Sequence, residues 1–313
     1  MPFTAKSGKF NASINTVEFG TGDKAVKIGG ENVFPLYSFD AAIENAPKVG
    51  IEITDFGMEH EPECIKKYYE GCATLADMAR KAASMEGVDF LSFRMEGGDP
   101  NGANKSTEEL IGELKEIADA VDLPLVVCGC KNVEKDAELF SKAAEALNGK
   151  NAVILSAKEE NYKTVGAAAG LAYKQIVGAE SAVDINLAKQ LNVLISQLGV
   201  DSKSVVMNVG SAAVGYGFEY VISTMDRVKA AALQQGDANL QMPIITPVAE
   251  EAWNVKEAMA SEDDMPEWGN QEERGIGMEV STAASVLACG SNAVILKHPT
   301  SVATISKLIK EMM

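Results

Sequence analysis

Asp55, Glu96, Asp99 and Asp184 each stand just beyond a short apolar run. That is where an α/β enzyme places a pair of working carboxylates. The residues that would complete most hydrolytic sites are missing. His60 and His298 are far apart in the chain, so no histidine pair has the spacing that a zinc hydrolase uses. Cys64, Cys72, Cys128, Cys130 and Cys289 are scattered, whereas cluster ligation draws on several thiolates in a tight run. Buried, unreactive thiols are the expectation for them. No Ser–His–Asp or kinase motif set is present. A Schiff-base aldolase wants a lysine at a strand end; none falls within the apolar runs, and Lys297 only follows the last of them.

The polar loops carry more. Glu96–Ser106 (EGGDPNGANKS) offers Glu96, Asp99, Asn101 and Asn104 as hydrogen-bonding groups among glycines that allow close approach of a ligand. The same composition also suits a turn-rich linker that caps the next helix. Asp184, Asn186 and Lys189 open a strongly amphipathic stretch, where Asp184 could equally be the N-cap and Lys189 solvated. Asn208–Gly217 (NVGSAAVGYG) holds Ser211, Ala212 and Tyr216 among small residues that let a large flat ligand lie against main chain. Its glycines match neither dinucleotide nor P-loop spacing. Ala260–Gln271 (ASEDDMPEWGNQ) reads as a long insertion, a lid or a partner contact.

These loops must hang on a frame, and the frame is rhythmic. Apolar runs at Val49–Ile53, Phe90–Met95, Leu125–Cys128, Ala152–Ser156, Gln175–Val177, Val205–Asn208, Pro243–Val248 and Ala293–Leu296 predict strands. Helical spacing follows them at Gly71–Glu86, Ser106–Ala120, Val133–Leu147, Asn161–Ala172, Asp184–Leu198, Phe218–Leu233, Ala249–Met259 with Glu272–Cys289, and Val302–Lys310. Ser106 with Glu109 has the capping-box pattern. Strict alternation implies parallel strands with helical crossovers. Eight units over about 260 residues have the size of a (β/α)8 TIM barrel. The rival, an open doubly wound sheet, wants a glycine fingerprint after its first strand; Thr54–Gly57 (TDFG) lacks it. Residues 1–48 read as an N-terminal extension, with a β-hairpin formed by Asn15–Phe19 and Ala25–Ile28, that closes one end of the barrel at 49–313.

Composition narrows the partners. Of 313 residues, 45 are acidic and 28 basic, for a formal net charge of −17. Such a surface repels phosphate backbones and anionic lipid, so neither nucleic acid nor membrane is expected as a partner. No apolar run reaches the ~18 residues of a membrane span, and the first residues lack a signal-peptide core. A cytoplasmic location is the expectation.

The Glu96–Ser106 loop, the Asp184–Asn192 stretch (DINLAKQLN), Gly215–Tyr220 (GYGFEY) and Glu251–Trp253 resemble the small subunit of corrinoid iron–sulfur protein. That family is the delta subunit of the acetyl-CoA decarbonylase/synthase system. The likeness covers essentially the whole chain. It implies a barrel related to pterin-binding methyltransferases, acting as a non-catalytic subunit. The partner implied is a large subunit carrying a [4Fe–4S] cluster and a corrinoid (cobalamin) domain, with the corrinoid lying between that domain and the barrel mouth. The heterodimer would take a methyl group from a methyltetrahydrofolate methyltransferase and deliver it to acetyl-CoA synthase in the reductive acetyl-CoA pathway of anaerobes. The resemblance assigns the corrinoid contacts to Glu96, Asp99, Asn101, Asn104, Asp184, Asn186, Lys189, Ser211, Ala212 and Tyr216. It leads one to expect aspartate at position 96, where this chain has the longer Glu96. The lack of a cysteine run and of an Asp-x-His-x-x-Gly corrinoid signature fits a division of labour in which the partner holds the metals. The alternative is a barrel methyltransferase that binds the pterin itself through Asp99, Asp184 and Asn208.

Overall fold

The computed structural model describes residues 8–313. Strands β3 (Lys48–Thr54), β4 (Phe90–Arg94), β5 (Leu125–Cys128), β6 (Val153–Ala157), β7 (Ile176–Glu180), β8 (Val205–Asn208), β9 (Ile244–Pro247) and β10 (Ser291–Leu296) run parallel in sequence order. β10 pairs back onto β3, which closes the (β/α)8 barrel. Helices α1 (Glu63–Lys66) and α2 (Leu75–Ala83) follow β3, α3 (Thr107–Ala120) follows β4, and α4 (Val133–Ala146) follows β5. Then come α5 (Tyr162–Val165), α6 (Ile185–Gln197), α7 (Phe218–Leu233), α8 (Val248–Ala252), α9 (Lys256–Met259), α10 (Gln271–Cys289) and α11 (Pro299–Met312).

The two-residue period of the strands sorts their side chains. On β4, Leu91 and Phe93 pack outward with Leu110, Leu114 and Ile117 of α3. Phe90 points inward with Val126, Val153, Leu155, Ile176, Val206, Ile245 and Ile295. A side chain at Gly50 would lie 2.2 Å from the Phe90 ring, so the small residue on β3 makes room for the large one on β4.

The extension does close one end. Strands β1 (Val17–Phe19) and β2 (Val26–Ile28) form an antiparallel hairpin. Its Val17, Phe19, Val26 and Ile28 join the inward cluster of the barrel, and Phe19 meets Phe90 edge-on at 5.5 Å. The Asn15 amide donates to the Gln241 carbonyl (2.6 Å) and the Gly20 amide to Asn151 (2.7 Å). Both acceptors sit in loops that enter strands, so the hairpin covers the N-terminal end. Buried Lys229 donates to Glu31 (2.9 Å) and Asn292 (3.0 Å), tying the extension to the base of β10.

Three elements depart from the sequence expectation. Gly71, at φ 84°, turns the chain, so α2 begins only at Leu75, where Thr74 and Asp77 form a reciprocal capping box. Gly166–Ala172 is π-helical, not α-helical. There, glycines approach a neighbour closely: side chains at Gly166 and Gly170 would come within 2.9 Å of Leu198 and 2.7 Å of Val200. The predicted helix Ala249–Met259 is two short ones, broken where Trp253 turns to stack on His298. Elsewhere the match is close; Asp184 is the N-cap of α6, accepting from the Asn186 (2.8 Å) and Leu187 (3.2 Å) amides, and Ser106 caps α3.

Candidate functional site

The inward positions that are apolar at the bottom of the barrel are charged at the top. Glu52 of β3, Arg94 of β4, Glu180 of β7 and Asn208 of β8 all stand at or near the C-terminal strand ends, the working face of this architecture. The Arg94 guanidinium is buried and donates from Nε to Glu52 at 3.1 Å. Its Nη1 lies 3.0 Å from Glu250, which also holds Lys131 at 2.6 Å. Burial alone would raise the Glu250 carboxyl, but Arg94 and Lys131 together pull it below the usual range. Beside this chain runs a second one. Asn208 Nδ2 donates to Ser156 Oγ (3.0 Å), Ser156 Oγ donates to Glu180 (3.1 Å), and Lys158 sits 3.5 Å from Glu180.

Between the two networks lies a cavity of about 250 Å³. Lys131, Asp136, Asn208, Ser211 and Val183 line it. Burial pushes the Asp136 carboxyl up, against the Cys130 amide (2.7 Å) and thiol, which both donate to it. Its lining charges are largely matched within the chain, so the cavity suits neutral hydrogen-bonding groups better than a bare anion.

The other side of the mouth, over β3 and β10, is packed shut. His298 is fully buried, stacked on Trp253 (5.8 Å between ring centres) and edge-on to Tyr68 (5.1 Å). Its Nδ1 accepts from the Thr300 amide at 3.1 Å, which leaves Nε2 to face Glu272 at 3.2 Å. Burial lowers the imidazole pKa despite Glu272. Glu279 lies beneath it, accepting from the Lys297 (2.5 Å) and His298 (3.1 Å) amides. Lys297 Nζ pairs with Glu61 at 2.7 Å. Burial would lower this lysine, but Glu61 and Glu52 raise it, so it stays protonated and is no Schiff-base nucleophile.

The residues expected to contact a ligand are distributed unevenly. Ser211 lines the cavity, and its buried hydroxyl has no hydrogen-bond partner. Ala212 is half-buried beside it. Tyr216 is exposed on the rim, donating to Glu257 at 2.6 Å. Glu96 is exposed at the second-strand loop; desolvation pushes its carboxyl up, against Lys297 and Arg94. Asp99 is engaged with its own loop, accepting from the Asn101 amide at 3.0 Å, while Asn101 and Asn104 are exposed. Asn186 is exposed in the first turn of α6. Lys189 pairs with Asp237 at 2.6 Å, in the loop entering β9 and turned from the mouth. Asp55 is spent on structure, accepting from the Gly97 amide (2.9 Å) and pairing with Lys105 (3.0 Å). Asn208 lines the cavity, whereas Asp99 and Asp184 are not among its lining residues and make hydrogen bonds within their own segments.

Sequence reasoning missed Arg94, Ser156, Glu180 and Val183. An arginine inside the otherwise apolar run FLSFRM was the available signal for the first. Cys128 and Cys130 are buried, with thiols pushed up to about 12 by burial. Cys64, Cys72 and Cys289 are only partly buried, a correction to the expectation of five interior thiols. Among the described residues no group of three or more His, Cys, Asp or Glu is placed to hold a metal ion. No described helix is long and apolar enough to cross a membrane.

The mouth keeps its charges paired to one another and leaves Val183, Tyr216, Tyr220 and Met259 exposed. The family model described as CO dehydrogenase/acetyl-CoA synthase delta subunit matches residues 16–299. The chain belongs to this delta subunit family. The acetyl-CoA decarbonylase/synthase complex subunit delta 1 of Methanosarcina thermophila is 30% identical over 299 residues, spanning 94% of this chain and 67% of that relative. Subunit delta from Methanothermobacter thermautotrophicus is 32% identical over 306 residues, spanning 97% and 76%. Among solved structures, dihydropteroate synthase of Thermus thermophilus with 4-aminobenzoate superposes at a TM-score of 0.56, with 12% identity, over 95% of this chain and 100% of that one. The enzyme from Yersinia pestis gives 0.53, also at 12% identity, over 85% and 92%. These two establish the delta subunit's barrel fold and nothing about its ligand. The delta relatives are named as subunits of an acetyl-CoA decarbonylase/synthase complex.

Proposed function

We propose that this delta chain is the small, non-catalytic subunit of a corrinoid iron–sulfur methyl carrier. In this reading it covers a corrinoid held by a larger subunit that also carries a [4Fe–4S] cluster. The pair passes a methyl group from a methyltetrahydrofolate methyltransferase to acetyl-CoA synthase. The observation that carries the reading is the pairing of mouth charges: Glu52, Arg94, Glu250 and Lys131 satisfy one another, and Asn208, Ser156, Glu180 and Lys158 do the same. An acid–base catalyst keeps a proton-transferring group open to its substrate; here the inward polar groups form a floor.

The mouth fits a corrinoid. Ser211, Ala212 and the glycine-rich loop around them supply main chain for close approach, and the Ser211 hydroxyl lacks a partner. When bound, the corrinoid supplies the metal centre that carries the methyl group. Val183, Tyr216 and Tyr220, exposed on the rim, would exclude water from the ring's edge, and Glu96 and Asn104 of the second-strand loop would be further contacts.

Two measurements test this. The purified chain, mixed with methyltetrahydrofolate and free reduced cobalamin, should leave the corrin absorbance unchanged; methyl transfer by the chain alone would mark it as the methyltransferase instead. Co-expressed with a candidate large subunit, the chain should purify as a heterodimer that retains corrinoid.

A further inference from the structure

Ala182 and Val183, just after β7, have φ of 43° and 59°. The Asp184 amide donates across them to the Ser181 carbonyl at 3.0 Å. The result is a tight turn with two left-handed residues, a shape that glycine and asparagine adopt easily. A β-branched residue in that region is crowded against its own backbone. Elsewhere this region is taken by Leu36, Asn104, Lys131, Asn151 and Lys174, none of them β-branched.

The surroundings hold Val183 in place. Its amide donates to the Val209 carbonyl at 2.7 Å, and the Thr224 hydroxyl donates to its carbonyl at 2.9 Å. Gly210 lies so close that a Cβ there would stand 3.4 Å from Val183 Cγ1. Yet the side chain so held is 40% exposed at the mouth cavity. Internal packing does not account for keeping a strained valine where asparagine would sit relaxed, and strain retained in this way points to a contact outside the chain. A second observation concerns the same cavity: the buried Ser211 hydroxyl in its wall has no partner. An apolar residue and an unpaired hydroxyl on one cavity whose lining charges are largely paired to one another call for a ligand with an apolar rim and neutral hydrogen-bonding arms. A corrin ring, edged with methyl groups and carboxamide arms, has that chemistry.

We infer that the Ala182–Val183 turn is a positioning element that holds Val183 against the rim of the corrinoid, with one carboxamide arm entering the cavity toward Ser211. This rests on the covering-subunit reading. The test is Val183→Asn, with Val183→Gly as a second relaxed variant, in the chain alone and in the heterodimer loaded with cobalamin. Thermal unfolding of the free chain should rise by about 1 °C as the strain is relieved. Corrinoid affinity of the heterodimer, read from its visible spectrum, should fall about tenfold with loss of the apolar contact. Ser211→Ala should weaken cobalamin several-fold in the heterodimer, while the free chain, relieved of a buried unpaired hydroxyl, unfolds at the same temperature or slightly above. A lower unfolding temperature in both Val183 variants would show that Val183 is a packing residue and overturn the inference. Unchanged affinity in the relaxed variants overturns it too, while leaving the covering reading intact. A wild-type heterodimer that retains no corrinoid overturns both.

Discussion

The two ends of the barrel are built from the same strands and differ in every physical respect. At the N-terminal end, Phe90, Val126, Val153 and Ile176 meet the hairpin's Val17, Phe19 and Ile28 in a dry cluster. At the C-terminal end, the same inward rows finish in Glu52, Arg94, Glu180 and Asn208. One end buries apolar area, the dominant favourable term in folding. The other keeps ionic groups out of bulk water, an arrangement that contributes little net stability and persists where a defined surface is needed. The contrast teaches that apolar burial is concentrated at the plugged end and paired ionic groups at the open one, which is where the proposed function puts recognition.

The comparison is broken most directly at the plug. Phe19→Ala removes a fully buried ring packed on Phe90 and should cost about 3–5 kcal/mol of unfolding free energy. Urea unfolding followed by circular dichroism measures it. A loss under about 1 kcal/mol would show that the hairpin is an ornament and that the barrel closes without it.

At the mouth, Arg94→Met should cost about 3 kcal/mol, because Glu52 is left as an unpaired buried carboxylate. Adding Glu52→Gln should recover most of that loss, since the pair is worth far less than either charge stranded. Urea unfolding of the single and double variants decides it. Failure of the second substitution to recover stability would mean that Arg94 also packs as hydrophobic bulk, and the distinction between the ends would narrow.

The sequence shows the plugged end far better than the open one, and the reason is physical. Apolar alternation and turn residues are local signals, so the barrel rhythm, the hairpin and the Asp184 cap of α6 could be read directly from it. Ion pairs across a mouth are long-range. Arg94 meets Glu52 from a neighbouring strand and Glu250 from the far side of the barrel, and no local spacing announces either. The second-strand loop was recognisable as polar, but whether Asp99 faced a ligand or its own Asn101 amide depended on a turn that composition leaves open. Val183 gave no signal at all, because its left-handed backbone is imposed by Val209, Gly210 and Thr224 from other segments.

The smallest effect sharpens the contrast within the mouth, between its cavity side and its packed side. His298 sits on the packed side with its imidazole pKa lowered by burial, below the ordinary 6.5, in spite of Glu272. The unfolded chain therefore binds this proton more readily than the folded one. Between the unfolded value and the lower folded one, stability rises with pH, so His298 supports the fold fully above about pH 7 and loses that contribution as acid is added. His298→Asn keeps an acceptor for the Thr300 amide that caps α11 but cannot titrate. At pH 7.5 the variant should unfold below wild type, having lost the stack on Trp253 and the contact with Glu272. At pH 5.5 the gap should shrink by about 1 kcal/mol or less, because only wild type is then charged with forcing a proton into a buried ring. Thermal unfolding at both pH values reads the gap directly. A gap that is constant, or that widens in acid, would mean that Glu272 keeps the imidazole protonated, and the packed side of the mouth would be an ion pair like the cavity side.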